Sequence, residues 1–76
     1  MELTFYPNPS KGIFNYRINA TDAYSFDVYD AVGNRVMKIV SNDEQGSIDL
    51  TQMVNGIYFV QLKTVGQTQM IRLLKN

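Results

Sequence analysis

The chain alternates apolar and polar residues over short segments that turn-forming residues separate. Phe14, Tyr16 and Ile18 alternate with polar residues in one segment, and Phe26 and Val28 do so in another. Successive side chains of a β-strand point to opposite faces, so this period of two predicts strands that bury one face. No window has the apolar spacing of a long amphipathic helix.

About seven such segments follow one another at a spacing of about 8–12 residues, which is typical of two packed antiparallel sheets. We therefore predict an all-β fold, an immunoglobulin-like β-sandwich of about seven strands in two antiparallel sheets, formed as a single domain by residues 1–76. The residues predicted to lie between the sheets are Phe5, Phe14, Phe26, Val28, Val36, Leu50, Tyr58, Val60 and Leu62.

Two apolar stretches predict contact with a further strand. The last segment, from Gln67 to Lys75, carries apolar residues on both faces, which favours either a central strand or one that accepts a partner. Residues 57–62 are uncharged and high in β-propensity, and the net charge of the chain is zero. Open sheets have exposed edges and low net charge gives little repulsion, so we predict that the isolated domain self-associates into a homodimer through a strand edge.

Two turns carry recognisable chemistry. Asp30 and Gly33 occupy the first and fourth positions of a four-residue turn, the residue types of a type I turn closed by a glycine of positive φ. Gly56 precedes Ile57 and Tyr58 at the start of an apolar strand, a pattern similar to the tyrosine corner of immunoglobulin-like sandwiches. In that motif the phenol hydroxyl donates a hydrogen bond to the backbone a few residues upstream.

Composition removes most catalytic classes. The 76 residues include no Cys and no His, which excludes disulfide scaffolds, thiol chemistry, thiolate metal sites and His-dependent triads. No run of Lys or Arg is present to neutralise phosphates, so we predict no nucleic-acid partner. No apolar stretch approaches the ~20 residues that span a bilayer. We predict a domain that is not an enzyme and that binds no cofactor and no metal.

Two alternative sites remain to be weighed. Carboxylates at five positions offer oxygen ligands for calcium, although their spacing matches no EF-hand loop. These residues are Asp27, Asp30, Asp43, Glu44 and Asp49. Exposed aromatic residues such as Tyr6 and Tyr29 would suit stacking on a sugar, but surface tyrosines are common on small sandwiches. Turn formation and solvent exposure explain both sets of residues without a ligand.

Five sequence elements occur together in a fixed order along almost the whole chain. They are Leu3-Thr4-Phe5-Tyr6-Pro7-Asn8-Pro9-Ser10-Lys11-Gly12-Ile13-Phe14, Val28-Tyr29-Asp30-Ala31-Val32-Gly33-Asn34-Arg35-Val36, Ile48-Asp49-Leu50, Asn55-Gly56-Ile57-Tyr58-Phe59-Val60 and Met70-Ile71-Arg72-Leu73-Leu74-Lys75. In this combination the chain resembles the C-terminal sorting domain of cargo proteins of the type IX secretion system of the Bacteroidetes.

The resemblance implies a non-catalytic secretion signal of immunoglobulin-like fold. Such a domain directs a covalently linked N-terminal passenger through the outer-membrane translocon, and a sortase-like protease usually removes it afterwards. The implied partners are the translocon and the protease, and the implied location is the periplasm in transit, then the cell surface or the medium. The residues that match the family's motifs are candidates for the sorting signal: Tyr6, Pro7, Asn8, Pro9, Gly12, Asp30, Gly33, Asn55, Gly56, Tyr58, Arg72 and Lys75.

The candidate residues carry two structural expectations. Proline restricts its own φ and the conformation of the residue before it, so Pro7 and Pro9 predict a stiff, extended exit from the first strand. Arg72 and Lys75 are the only cations of the last strand, and we expect both on the surface, where the machinery could read them along an accessible terminal strand.

A different function is open to the same architecture, because a fold does not determine what a domain binds. An extracellular adhesion or carbohydrate-binding module is the alternative to a sorting signal. The two differ in context, since a sorting domain follows a large passenger with its own signal peptide.

Overall fold

Seven β-strands make up the regular structure in a computed structural model, which describes residues 2–19 and 22–76. Their bounds are β1 (Leu3–Tyr6), β2 (Ile13–Ile18), β3 (Tyr24–Tyr29), β4 (Arg35–Ser41), β5 (Gln45–Asp49), β6 (Gly56–Thr64) and β7 (Gln67–Lys75). Residues 20 and 21, between the segments that contain Ile18 and Phe26, lie outside the described residues. The described chain contains no helix, and therefore none long and apolar enough to cross a membrane.

The strands form two antiparallel sheets, which confirms the predicted all-β sandwich. One sheet has the order β1-β2-β5 and the other the order β4-β3-β6-β7. Every strand pair is antiparallel, and one isolated parallel bridge joins Ser10 to Lys75. Strands β4 and β7 are therefore the edges of the four-stranded sheet, and β7 is an edge rather than a central strand.

The core lies between the two sheets and has an aromatic centre. Phe26 of the four-stranded sheet packs against Phe5 and Tyr16 of the other sheet, with ring centroids 5.7 and 4.9 Å apart. Seven of the nine predicted core residues are buried, while Phe5 and Val36 are half-buried against the core. The core also contains residues that were not on the predicted list: Tyr16, Ile18, Tyr24, Ile48 and Leu73. The alternation therefore predicted the buried faces of the strands correctly.

Strand β6 is not one of the sheet edges through which the predicted homodimer could form. Residues 57–62 lie within β6, which pairs with β3 on one side and β7 on the other. Because both sides of this strand are hydrogen-bonded, the window that suggested self-association is not an exposed edge in the folded domain. The apolar stretch is instead the central strand that the hydrophobic core requires.

The two ends of the sandwich are formed by different parts of the chain. At one end, the backbone N–H of Glu2 donates to the side chain of Asn19, and the N–H of Ile18 donates to the carbonyl of Glu44. At the other end, the N–H of Leu50 donates to the carbonyl of Gly12. A polypeptide that preceded residue 2 would consequently join the domain at the end away from Gly12.

Candidate functional site

Sequence elements that are far apart in the chain meet at one end of the sandwich. We call this the motif end and define it as residues 6–12, 30–34, 50–58 and 72–76. Gly56 is the register partner of Lys75, and Phe59 is the partner of both Tyr29 and Arg72. The bridge between Ser10 and Lys75 attaches the N-terminal element to the same end. All twelve sequence-derived candidates therefore lie in one region, which the spacing along the chain did not show.

The side chain of Asn8 closes part of the free edge of β7. Its amide nitrogen donates to the carbonyl of Arg72 at 2.9 Å, and its amide oxygen accepts the N–H of Leu74 at 3.0 Å. Ser10 continues the pairing, donating to the carbonyl of Leu74 and accepting the N–H of Asn76. One amide side chain thus substitutes for a neighbouring strand, because it offers a donor and an acceptor at the spacing of the backbone groups.

This closure corrects the expectation of an accessible terminal strand for the second half of β7. The outward backbone groups from the Arg72 carbonyl to the N–H of Asn76 are already bonded to Asn8 and Ser10. A partner strand cannot pair with this part of β7 unless residues 8–10 move away. The sequence feature that marked Asn8 was its position between two prolines. It did not show the contact with Leu74, which lies 66 residues further along the chain.

The proline segment also differs from its prediction. The peptide bonds preceding Pro7 and Pro9 are both cis, and residues 7–9 bend rather than continue as an extended exit from β1. Proline restricts φ but permits either isomer of the preceding bond, so sequence alone did not determine the direction of the chain. The bend brings Asn8 to the edge of β7, where its side chain is hydrogen-bonded.

Tyr58 forms the predicted tyrosine corner. Its ring is buried at the start of β6, and its hydroxyl donates to the backbone carbonyl of Val54 four residues upstream. Gly56, between these two residues, has φ of +147°, a conformation that favours glycine. The bond fixes the loop that leads from the three-stranded sheet into the central strand of the other sheet.

We expect Tyr58→Phe to lower the free energy of unfolding by about 1 kcal/mol, because the substitution removes one hydrogen bond and retains the buried ring. Chemical denaturation monitored by tyrosine fluorescence or circular dichroism measures this loss. Tyr6→Phe is the matched control, since the Tyr6 side chain is exposed and its substitution should leave the midpoint nearly unchanged. Equal midpoints for all three proteins would contradict the role of the corner.

Lys75 is buried, contrary to the expectation of a surface cation. Only 6 % of its surface is exposed, and its ammonium group donates to the backbone carbonyl of Met53. Met53 belongs to the loop before β6, so this contact fixes the last strand to that loop. Arg72 is exposed, as predicted. Its side chain lies on the outer face of the sheet, whereas that of Lys75 points toward the loop because successive residues of a strand alternate in direction.

The turn after β3 has the predicted geometry. The N–H of Gly33 donates to the carbonyl of Asp30, and Gly33 has φ of +95°. The Asp30 carboxylate accepts the N–H of Asn34 at 2.9 Å and that of Val32 at 3.1 Å. These bonds, that from Asn34 first, hold the pKa of Asp30 below its usual range. Asp30 and Gly33 therefore have a structural role at this turn.

Gly12 lies in close contact with Thr51 at the motif end. Its φ is +150°, and a β-carbon at this position would lie 2.9 Å from the Cα of Thr51. Thr51 is held in turn by Asp49, whose carboxylate accepts both the N–H and the hydroxyl of Thr51. These bonds, that from the hydroxyl first, lower the pKa of Asp49. Thr51 was not among the predicted site residues, because the distance between its loop and that of Gly12 is apparent only in the folded structure.

Most sequence candidates thus have structural roles, and a smaller set presents exposed side chains. The exposed candidates are Tyr6, Pro7, Asn8, Pro9, Asn55 and Arg72. Five apolar side chains at or beside the motif end are also exposed and were not singled out from the sequence: Ile13, Val32, Val54, Ile57 and Leu74. Alternation identifies faces of a strand but does not show which outward apolar residues remain uncovered. The motif end consequently combines exposed apolar groups with the charge of Arg72.

This arrangement gives less support to the calcium and sugar sites considered from the sequence. Within residues 2–19 and 22–76, no three acidic residues gather in a group that could hold a metal ion. Asp27 is instead buried, within 3.5 Å of Arg35 and 3.6 Å of Lys63. Tyr6 and Tyr29 lie in different sheets, and Tyr29 is half-buried rather than exposed.

Two antiparallel sheets, a tyrosine corner and an N-terminal segment that bridges in parallel to the last strand define an immunoglobulin-like sandwich, here without a disulfide. A family model of the secretion system C-terminal sorting domain matches residues 4–76. The chain therefore belongs to this family, and it is a C-terminal sorting domain of the type IX secretion system. No curated protein matches the chain.

Proposed function

We propose that the motif end is the part of the sorting domain that the type IX translocon recognises. The observation that carries this proposal is the convergence of the family-specific elements at one end of the sandwich, with Tyr6 and Arg72 exposed there. Residue 2 lies at the opposite end, so a passenger joined to it would leave the motif end accessible. In this proposal residues 1–76 act as one domain.

The domain acts by being bound and is not a catalyst. Its passage leads through the periplasm to the cell surface or the medium, where a sortase-like protease separates it from the passenger. Dimerisation of the isolated domain stays a prediction, which the sedimentation measurement described below tests. An adhesion module would instead need a ligand surface, and the tyrosines considered for sugar stacking are on different sheets.

Replacing Arg72 and Lys75 one at a time separates an effect on recognition from an effect on folding stability. Arg72→Gln is expected to leave the free energy of unfolding within about 0.5 kcal/mol, because Arg72 is exposed. It is expected to reduce export of a reporter that carries a signal peptide and this domain at its C-terminus. Lys75→Gln is expected to cost about 1–2 kcal/mol, because it removes a buried charge-assisted hydrogen bond to Met53.

Export is measured in a type IX-competent cell as the fraction of reporter at the surface and in the medium. Lys38→Gln is the matched control, since Lys38 is an exposed cation of the edge strand β4, away from Arg72. Export of the Arg72→Gln protein at the unmodified level, with normal folding, would exclude Arg72 from the signal. Equal reduction by Lys38→Gln would point to net charge rather than to the motif end.

A further inference from the structure

The outer edge of β7 is open over half its length. The bonds made by Asn8 and Ser10 show that the N–H and carbonyl groups of Arg72 and Leu74 point away from β6. Because the direction alternates along a strand, the backbone groups of Thr68 and Met70 point outward as well. Nothing in the described part of the chain pairs with them. We call residues 67–71 the open edge.

A shallow apolar groove lies beside the open edge. It has a volume of about 500 Å³ on the outer face of the four-stranded sheet, between Met70, Phe59, Tyr29 and the turn at residues 30–33. Met70 is 55 % exposed at the rim, where the groove meets the edge of the sheet. A strand added to the open edge would place alternate side chains against this groove.

The charges around the open edge are positive. Residues 50–76 contain no acidic residue. On the outer face, Thr68 is the register partner of Lys63, and Arg72 lies two positions beyond Met70. Lys63 shares the buried carboxylate of Asp27 with Arg35, so one carboxylate faces two cations. Asp30 lines the groove, but its carboxylate is bonded to backbone N–H groups of its own turn.

The other sheet edges are less suited to pairing with a partner strand. Strands β1 and β5 contain four and five residues, whereas β7 contains nine. The edge strand β4 carries Arg35 and Lys38, and charged residues commonly protect an edge from pairing. In β7 one half is covered by Asn8 and Ser10, while the uncharged half beside the groove is left open.

We propose that the open edge accepts one extended segment of a partner protein, in which an apolar residue lies between two acidic residues at alternate positions. The apolar side chain occupies the groove beside Met70, and the acidic side chains lie near Lys63 and Arg72. The segment pairs with the outward backbone groups of Thr68 and Met70, which supply affinity while the side chains supply selectivity. This inference deepens the proposed function, because the segment would belong to the machinery that reads the signal.

Peptide titration of the 76-residue chain tests this inference without an export assay. The probe is a short synthetic peptide of threonines with one valine and a glutamate two positions away on each side. Amide chemical shifts in a ¹⁵N-labelled sample should move at residues 67–72 and at Phe59. A matched peptide with lysine in place of both glutamates should produce shifts at least about tenfold smaller at the same concentration.

Two variants locate the contact. Met70→Pro removes an outward N–H without removing a bond to β6, and Pro is tolerated where an edge strand faces solvent. It should abolish the shifts, whereas Met70→Leu should retain them. Arg72→Glu keeps the backbone unchanged and should remove the preference for the glutamate peptide over the lysine peptide, because only Lys63 still favours glutamate. This second variant keeps the test decisive if Met70→Pro does not fold.

Three results would overturn the inference. They are the absence of shifts at the solubility limit of the peptide, shifts confined to β4, and equal shifts with both peptides. Sedimentation of the free chain provides a fourth, since a dimer that Met70→Pro dissociates would assign the open edge to a second copy. Because none of these measurements involves secretion, a negative result here leaves the export experiment on Arg72 to be judged separately.

Discussion

Gly12→Ala is expected to lower the free energy of unfolding by about 3 kcal/mol, enough to populate the unfolded state of a small domain. A β-carbon on Gly12 would lie 2.6 Å from the methyl group and 2.9 Å from the Cα of Thr51. The methyl group can rotate away, but the Cα can retreat only if the loop moves, and Asp49 holds that loop in place. The positive φ of Gly12 adds its own strain.

Gly56→Ala and Gly33→Ala are the controls that separate strain from contact. Both glycines have positive φ, but no other atom lies within 4 Å of the β-carbon that either would acquire. Each substitution should therefore cost about 1–2 kcal/mol, from backbone strain alone. Thermal and chemical denaturation measure all three variants. A loss for Gly12→Ala no greater than that of Gly56→Ala would show that the Thr51 contact relaxes freely.

Gly46→Ala is expected to lower the free energy of unfolding by about 2 kcal/mol, because the added β-carbon would collide with the hydroxyl end of the Tyr16 ring. The two residues are register partners on β2 and β5, and a β-carbon on Gly46 would lie 2.6–2.9 Å from the hydroxyl and ring atoms of Tyr16. The ring has little room to move, since its hydroxyl is hydrogen-bonded to that of Tyr24, which in turn donates to the carbonyl of Asp43. Burial, the largest cause, raises the pKa of Tyr16 above its ordinary value.

A double-mutant cycle tests whether the conflict with the Tyr16 ring causes this loss of stability. In a Tyr16→Leu background the ring is absent, so adding Gly46→Ala should cost much less than it does in the native protein. Ser47→Ala is the control on the same strand, where the side chain is exposed. Additive losses from Tyr16→Leu and Gly46→Ala would contradict a direct conflict between the two side chains and would assign the loss to the backbone of β5.

The alternation of side chains predicted the strands and their buried faces, because burial of one face per strand has a period that sequence displays directly. The turn at Asp30 and the corner at Tyr58 were predicted for a similar reason, since each depends on residues within a few positions. The bounds of β7 coincide with the predicted segment from Gln67 to Lys75. Its place at the edge was not predictable from its composition.

The errors have a common cause, which is contact between residues distant in sequence. Lys75 is buried because the Met53 carbonyl accepts its ammonium group, and Asn8 closes the edge of β7 because a bend places it there. Asp27 follows the alternation, with its side chain on the outer face, but long cationic side chains from both neighbouring strands cover it. Charge alone predicts exposure, and here three-dimensional partners reverse that expectation.

The bonds from Asn8 and Ser10 to the end of β7 make the motif end depend on residues that are far apart in the chain. A ribosome produces residues 6–12 well before their partners at residues 72–76. A nascent or truncated chain without those residues leaves the Asn8 amide unpaired and the region unassembled. Assembly of this end of the sandwich therefore requires that the last strand has been synthesised and has folded, so a reader specific for it would discriminate against cargo truncated within this domain.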